Sequence, residues 1–225
     1  METAMQMNSP ADMVGRLIAA SARAADRRLD ALGLAPPPLA LPPEVRDDLR
    51  AFFGHTIDPA AVMIRRGHVP GVPHPRAFAL PGLIYLGADP GVVCTTSEGV
   101  DRPRATPTLV HELVHVWQGR VIGPRYVVSA LAEQARKGRR AYDWRAVLDR
   151  ASLDSAPLDR PSLDRAPRPF PVEAHAQLVS EAYAHRYGFT PPTASARPSR
   201  ELRDMEEALT GLRAGRAPTL WGRAV

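Results

Sequence analysis

The sequence predicts an α+β fold: a small mixed or antiparallel sheet packed on two helices that carry ligand-type side chains, with proline-rich linkers at its flanks. Three observations predict it. The stretch 108–118, TLVHELVHVWQ, is apolar nearly all round and is bounded by helix signals. Upstream, AVMIR (61–65) and AFALPGLIYL (77–86) are rich in residues that suit a pleated surface. Downstream, VEAHAQLVSEAYAHRYG (172–188) has helical spacing and a terminal glycine.

Residues 11–34 read as an amphipathic helix, with Met13, Leu17 and Ile18, then Leu29 and Leu32, as its apolar stripe. Such a helix suits docking on the domain or on a partner. PPPLALPP (36–43) reads as a polyproline-type linker. A short helix from Glu44 to Phe53 ends at Gly54, which suits a left-handed C-cap. The two strand-like pieces follow, the second broken by Pro81-Gly82, a pair that suits a type II turn. Residues 87–105, with their Gly, Asp, Thr and Ser, read as loop.

Thr106-Pro107 opens the next helix. Threonine caps, and at the first helical position the missing proline N–H costs nothing. Gly119 and then Gly123-Pro124 close it, so the helix covers about Pro107 to Gln118. Another helix is expected over Tyr126 to Arg136, with Tyr142 to Leu148 as a short continuation. Leu-Asp then recurs at 148, 153, 158 and 163. A five-residue period matches neither helix nor strand, and its prolines oppose a regular helix, so 148–169 reads as a low-complexity insertion. Residues 191–198 form a second Pro/Ser-rich linker, and about Ser199 to Arg213 a charged helix. The organisation is therefore an N-terminal helix and linker (1–43), a central domain (44–190) and a C-terminal linker and helix (191–225).

Composition narrows the function. With 44% hydrophobic and 24% charged residues in 225, the class is soluble and globular. No apolar run approaches the ~20 residues of a membrane span. METAMQMNSP lacks a basic start followed by an apolar segment, so the expected location is cytoplasmic. The single Cys94 excludes an internal disulfide framework and a cysteine-rich zinc finger, leaving His and carboxylates to hold any metal. Lys137 is the only lysine, so 28 of the 29 basic residues behind the net charge of +5 are Arg. With 24 prolines, that is the composition of a GC-rich bacterial genome, and no aromatic-basic platform marks nucleic acid as a partner. The run ARKGRR (135–140) reads as a solvated helix end.

The chemistry lies in His111-Glu112-x-x-His115. Residues four apart share a helix face, so both imidazoles can meet one ion. Glu112, about 100° round the helix, is placed to reach a water on that ion rather than the ion itself. Zinc lowers the pKa of such a water towards ~7, and the carboxylate takes its proton as the oxygen attacks a carbonyl. With seven His and ten Glu in the chain, the motif arises by chance at roughly 1%, so it is a specific signal. Burying two imidazoles and a carboxylate without partners would cost several kcal/mol, which a metal removes.

The third ligand must come from the later helix. Glu173 is favoured, beside the apolar stripe and in the first turn, where the helix dipole suits a carboxylate. Glu181, His175 and His185 are the alternatives, although Glu181 and His185 are also spaced to support each other on the surface. Tyr142, Tyr183 and His185 are candidates for an oxyanion donor.

HELVHVWQ (111–118), preceded by AVMIRRG (61–67) and AFALPGLIYLG (77–87) and followed by PFPVEAHAQLV (169–179), resembles a bacterial group of gluzincin-type zinc metallopeptidases associated with contractile injection systems and toxin loci. The group reads HEL-T/V-H-V-x-Q and then F-x-x-E-x-Q-A. The resemblance covers roughly 60–190. It implies a minimal zincin-like fold, Zn2+ held by His111, His115 and Glu173, Glu112 as catalytic base, and a peptide or protein substrate that pairs with AFALPGLIYL as an added strand. It further implies a secretion or injection-system partner and export by a non-classical bacterial route. The sequence departs from the group at His175, where Gln is common, and at Pro81, which interrupts a usually smoother strand.

Overall fold

The HExxH helix runs through the middle of the core. The computed structural model describes residues 9–71, 76–97, 100–154, 169–189 and 199–219. Its elements are α1 (Pro10–Ala31), α2 (Pro43–Phe53), β1 (Met63–Arg65), β2 (Phe78–Leu80), β3 (Leu83–Tyr85), β4 (Val92–Ser97), β5 (Val100–Ala105), α3 (Pro107–Val121), α4 (Arg125–Lys137), α5 (Trp144–Asp154), α6 (Val172–Arg186) and α7 (Ser199–Arg213), with 3-10 turns at Pro59–Ala61 and Gly138–Tyr142. This is the mixed α+β architecture expected.

Leu109, Val110, Leu113, Val114, Val116 and Trp117 of α3 are all buried. They pack along α6 and share one core with Leu49 and Phe52 of α2, Trp144 of α5 and Leu209 of α7. The Thr106 hydroxyl caps α3 by accepting from Leu109 N–H at 3.1 Å. Gly119 does not end the helix, which continues to Val121. The glycine serves a close approach instead: a Cβ there would lie 2.9 Å from the Tyr126 ring.

β3 is the centre of a three-stranded sheet, parallel to β1 and antiparallel to β2. Pro81-Gly82 turns β2 into β3, with Gly82 at φ 78° as the type II turn requires. Ile84 faces the main core, while Leu83 and Tyr85 join a second cluster with Tyr126 and Val127 of α4 and Ile18 of α1. Both faces are covered, which explains a nearly continuous apolar run rather than alternation.

The expected loop over 87–105 is corrected. Val92–Ser97 and Val100–Ala105 form an antiparallel hairpin, registered from Val92↔Ala105 to Ser97↔Val100. The β-branched run VVCTTS carried that signal, and Pro103 is tolerated because β5 pairs on one side only. The start of the insertion is corrected too. α5 extends to Asp154 through the first Leu-Asp units and buries Leu148, because the prolines begin only at Pro157. The rest of the insertion, 155–168, and the linker at 191–198 lie outside the described residues.

The proline-rich stretch lies against β1: Leu39 N–H donates to Ile64 C=O at 2.8 Å and Arg66 N–H to Pro37 C=O at 2.9 Å. α1 docks on α4 through Ile18 of the expected stripe and a row of small residues beside it, while Met13, Leu17 and Leu32 of that stripe are turned outward. Met13 and Leu17 are each 67% exposed, while Gly15, Ala19 and Asp26 are buried. Small residues win this face because the backbones nearly touch: a Cβ on Gly15 would lie 2.2 Å from the Pro124 carbonyl oxygen. Asp26 then meets Arg65 at 3.0 Å and accepts from the Tyr85 hydroxyl at 2.6 Å, a buried pair that ties α1 to the sheet. No described helix is long and apolar enough to cross a membrane.

The Gly15 contact makes a prediction of sign. On an exposed helix, Gly→Ala stabilises by up to about 1 kcal/mol. Here Gly15→Ala is expected to destabilise by about 1–3 kcal/mol through the clash with Pro124, read as a lower midpoint in urea unfolding.

Candidate metal centre

Three side chains converge between α3 and α6. His111 Nε2 lies 3.1 Å from His115 Nε2, and Glu173 Oε2 lies 3.3 Å from the first and 3.4 Å from the second. All three residues are at least 92% buried. Tetrahedral donors at ~2.0–2.1 Å from a shared ion would stand about 3.3–3.4 Å apart, so the spacing fits a small cation such as zinc. Two imidazoles and one carboxylate also fit zinc by donor type.

Each donor is aimed by its neighbours. Gln118 Oε1 lies 2.7 Å from His115 Nδ1, so Nδ1 carries the proton and Nε2 keeps its lone pair for an ion. The Gln118 amide is fixed in turn: its Nε2 donates to Val172 C=O at 3.0 Å and lies 3.3 Å from His175 Nδ1. Gln134 Nε2 donates to Glu173 Oε1 at 2.8 Å, which leaves Oε2 to face the imidazoles. Glu133 supplies the missing cap of α6, its two oxygens accepting from Val172 N–H at 3.0 Å and Glu173 N–H at 3.2 Å. The Glu133-Gln134 dipeptide of α4 thus holds both the backbone and the carboxylate of Glu173.

Burial alone would raise the Glu173 carboxyl, but the bonds from His111 and His115 outweigh it and hold the group well below the usual carboxylate range. Burial pushes His111 down. It also opposes charge on His115, yet Glu173, Glu112 and Gln118 together lift that imidazole to about 9. Burial raises Glu112 to about 7. One of its oxygens, Oε2, is buried with no hydrogen-bond partner among the described residues. An orphaned buried carboxylate oxygen costs stability unless solvent or a ligand answers it.

His111 and Glu112 line an open cavity of about 460 Å³, together with Arg76, Asp89 and Tyr142. Tyr142 is the oxyanion candidate that the fold brings here, with ring centroids 5.7 Å from His111. Its oxygen accepts from Gln134 Nε2 at 3.1 Å and from Arg76, so its own O–H remains to donate into the cavity.

The other candidates lie elsewhere. Tyr183 is buried against Phe52 in the core. His185 is exposed at the end of α6. Glu181 does not pair with His185; Arg145 holds it at 2.9 Å, because α5 packs over that face. His175 points away from the donors, stacked on Trp117 at 5.6 Å and pushed down to about 3 by burial and by His115, so it is a neutral brace for Gln118. Gln118 had a readable signal, one turn beyond His115 on the same face. Glu133 and Gln134 had none, since their role arises from α4 packing on α6.

Fold and site together define an α+β protein with a buried His–His–Glu cluster that could hold a metal ion, opening on a cavity. No family model, curated protein or solved structure matches the chain.

Gln134→Leu should weaken metal binding by about 10–100-fold, measured by competition with a chromogenic chelator, because Glu173 loses its orienting donor. Gln177→Leu, on the same cavity wall but with its amide donating to Glu181 and not to any of the three donors, should leave the affinity unchanged.

Proposed function

We propose that this protein is a zinc-dependent hydrolase of peptide bonds, with zinc on His111, His115 and Glu173 and with Glu112 as general base. The observation that carries the reading is the convergence of three metal-type donors beside an orphaned, buried Glu112 oxygen on the wall of an open cavity. Three protein ligands leave one tetrahedral position for solvent or substrate, as catalytic zinc sites do. Bound zinc would supply Lewis acidity to a scissile carbonyl and to the attacking water. Glu112 accepts a proton from that water and returns it to the departing amine nitrogen. The Tyr142 O–H, held by Gln134 and Arg76, donates to the oxygen on which negative charge develops.

An extended substrate would run beside Arg76 and Ala77, which border the cavity next to β2. β2 is an outer strand and so is open to strand addition, but the Ala79 carbonyl already accepts from Tyr126 OH at 3.1 Å. Pairing would therefore use the residues before β2 rather than Ala79. The motif's resemblance to gluzincin-type metallopeptidases favours a peptide or protein substrate and a secretion or injection-system partner.

A second reading is a non-catalytic, zinc-stabilised interaction module. It draws on the exposed Met13, Val14 and Leu17 of α1. The expected result separates the two. Wild type and Glu112→Gln should both retain stoichiometric zinc, while His111→Ala and Glu173→Ala lose it. Wild type should cleave members of a peptide library in a chelator-sensitive way, and Glu112→Gln should be at least about 100-fold slower. Unchanged turnover in Glu112→Gln would remove the general-base role, and zinc binding without any turnover would favour the interaction module.

A further inference from the structure

Beyond the 3-10 turn that bears Tyr142, a second cavity of about 630 Å³ opens between the end of α4 and the side of α5. Arg136, Lys137 and Arg140 line it from one side and Arg150 from the other. None of the four forms an ion pair with a carboxylate among the described residues.

That lack of pairing is not for want of acids. Glu133 and Asp149 lie on the same two helices, but Glu133 is spent on the backbone of α6 and Asp149 on Arg200 at 3.1 Å. Asp143, the one carboxylate among the described residues lining the cavity, caps α5 by accepting from Ala146 N–H at 3.0 Å. Elsewhere Arg65, Arg104 and Arg145 each find a carboxylate. Arg136 and Lys137 sit in the last turn of α4, where cations offset the helix dipole. That account does not extend to Arg140 or to Arg150, which face the same space from outside that turn. Like charges converging on one cavity repel, and the field they focus there attracts anions.

We propose that this cavity binds a compact polyphosphate anion, a diphosphate or triphosphate group, independently of the metal centre. Guanidinium forks match phosphate oxygens in pairs, and cations on two sides suit an anion with more than one phosphate. Among the described residues no aromatic side chain lines the cavity, so they offer no stacking platform for a nucleobase.

Isothermal titration of the full chain with inorganic pyrophosphate, at about 0.15 M ionic strength, tests this. Wild type should bind saturably. The double variant Arg140→Gln/Arg150→Gln should bind roughly tenfold or more weakly. Arg27→Gln/Arg28→Gln, which removes the same charge from the exposed face of α1, should bind like wild type. ADP should bind no tighter than pyrophosphate. Withdrawal of a metal ion by pyrophosphate would be common to all three proteins, so their difference reports the cavity alone. All six arginine and lysine positions involved are on the surface, and matching thermal midpoints will show that the variants fold. Absence of saturable binding to wild type, an equal loss in the two double variants, or clearly tighter binding of ADP would each overturn the proposal.

Discussion

Between them, α3 and α6 bury three imidazoles and two carboxylates inside an apolar core, and most of the structure answers to that constraint. Ionisable groups at such depth are costly unless each finds a partner. Three of them find one another through Glu173, and the network continues outward through Gln118, Gln134 and Glu133 to the backbone of α6. Glu112 alone is left with an oxygen unanswered. The protein therefore spends its polar packing on aiming donors and leaves one acceptor idle at the cavity.

The network also explains the roles of the surrounding elements. α4 is the second wall of the site, since the capping and orienting groups of Glu173 both come from it. The 3-10 turn after α4 sets Tyr142 on the cavity rim and is short enough to turn the chain into α5 at once. α1 covers the outer face of the sheet and leans on α4, so the N-terminal helix braces the same wall from behind.

Much of this was legible in the sequence where one residue type had one physical meaning. Thr106-Pro107, the Pro81-Gly82 turn and the HExxH spacing each specified local geometry, and all three appear in the structure. The favoured third donor also lies with the histidine pair. The misreadings came where one residue type has several uses. Gly119 looked like a stop but makes room for Tyr126. Gly15 and Ala19 lay outside the apolar stripe read for α1 but allow the closest packing, which left Met13 and Leu17 exposed. The β4–β5 hairpin was passed over because polar turn-type residues at 87–105 masked its β-branched run. Gln134 was invisible, since no local pattern says which surface amide will meet a carboxylate 39 residues away.

Phe170 N–H donates to Pro218 C=O at 2.9 Å, and Glu133 grips the first residues of α6, so the start of that helix is anchored from both sides by distant parts of the protein. A change near Pro218 or on α4 would thus reach the metal-type side chains through the main chain of α6, without touching any of them directly.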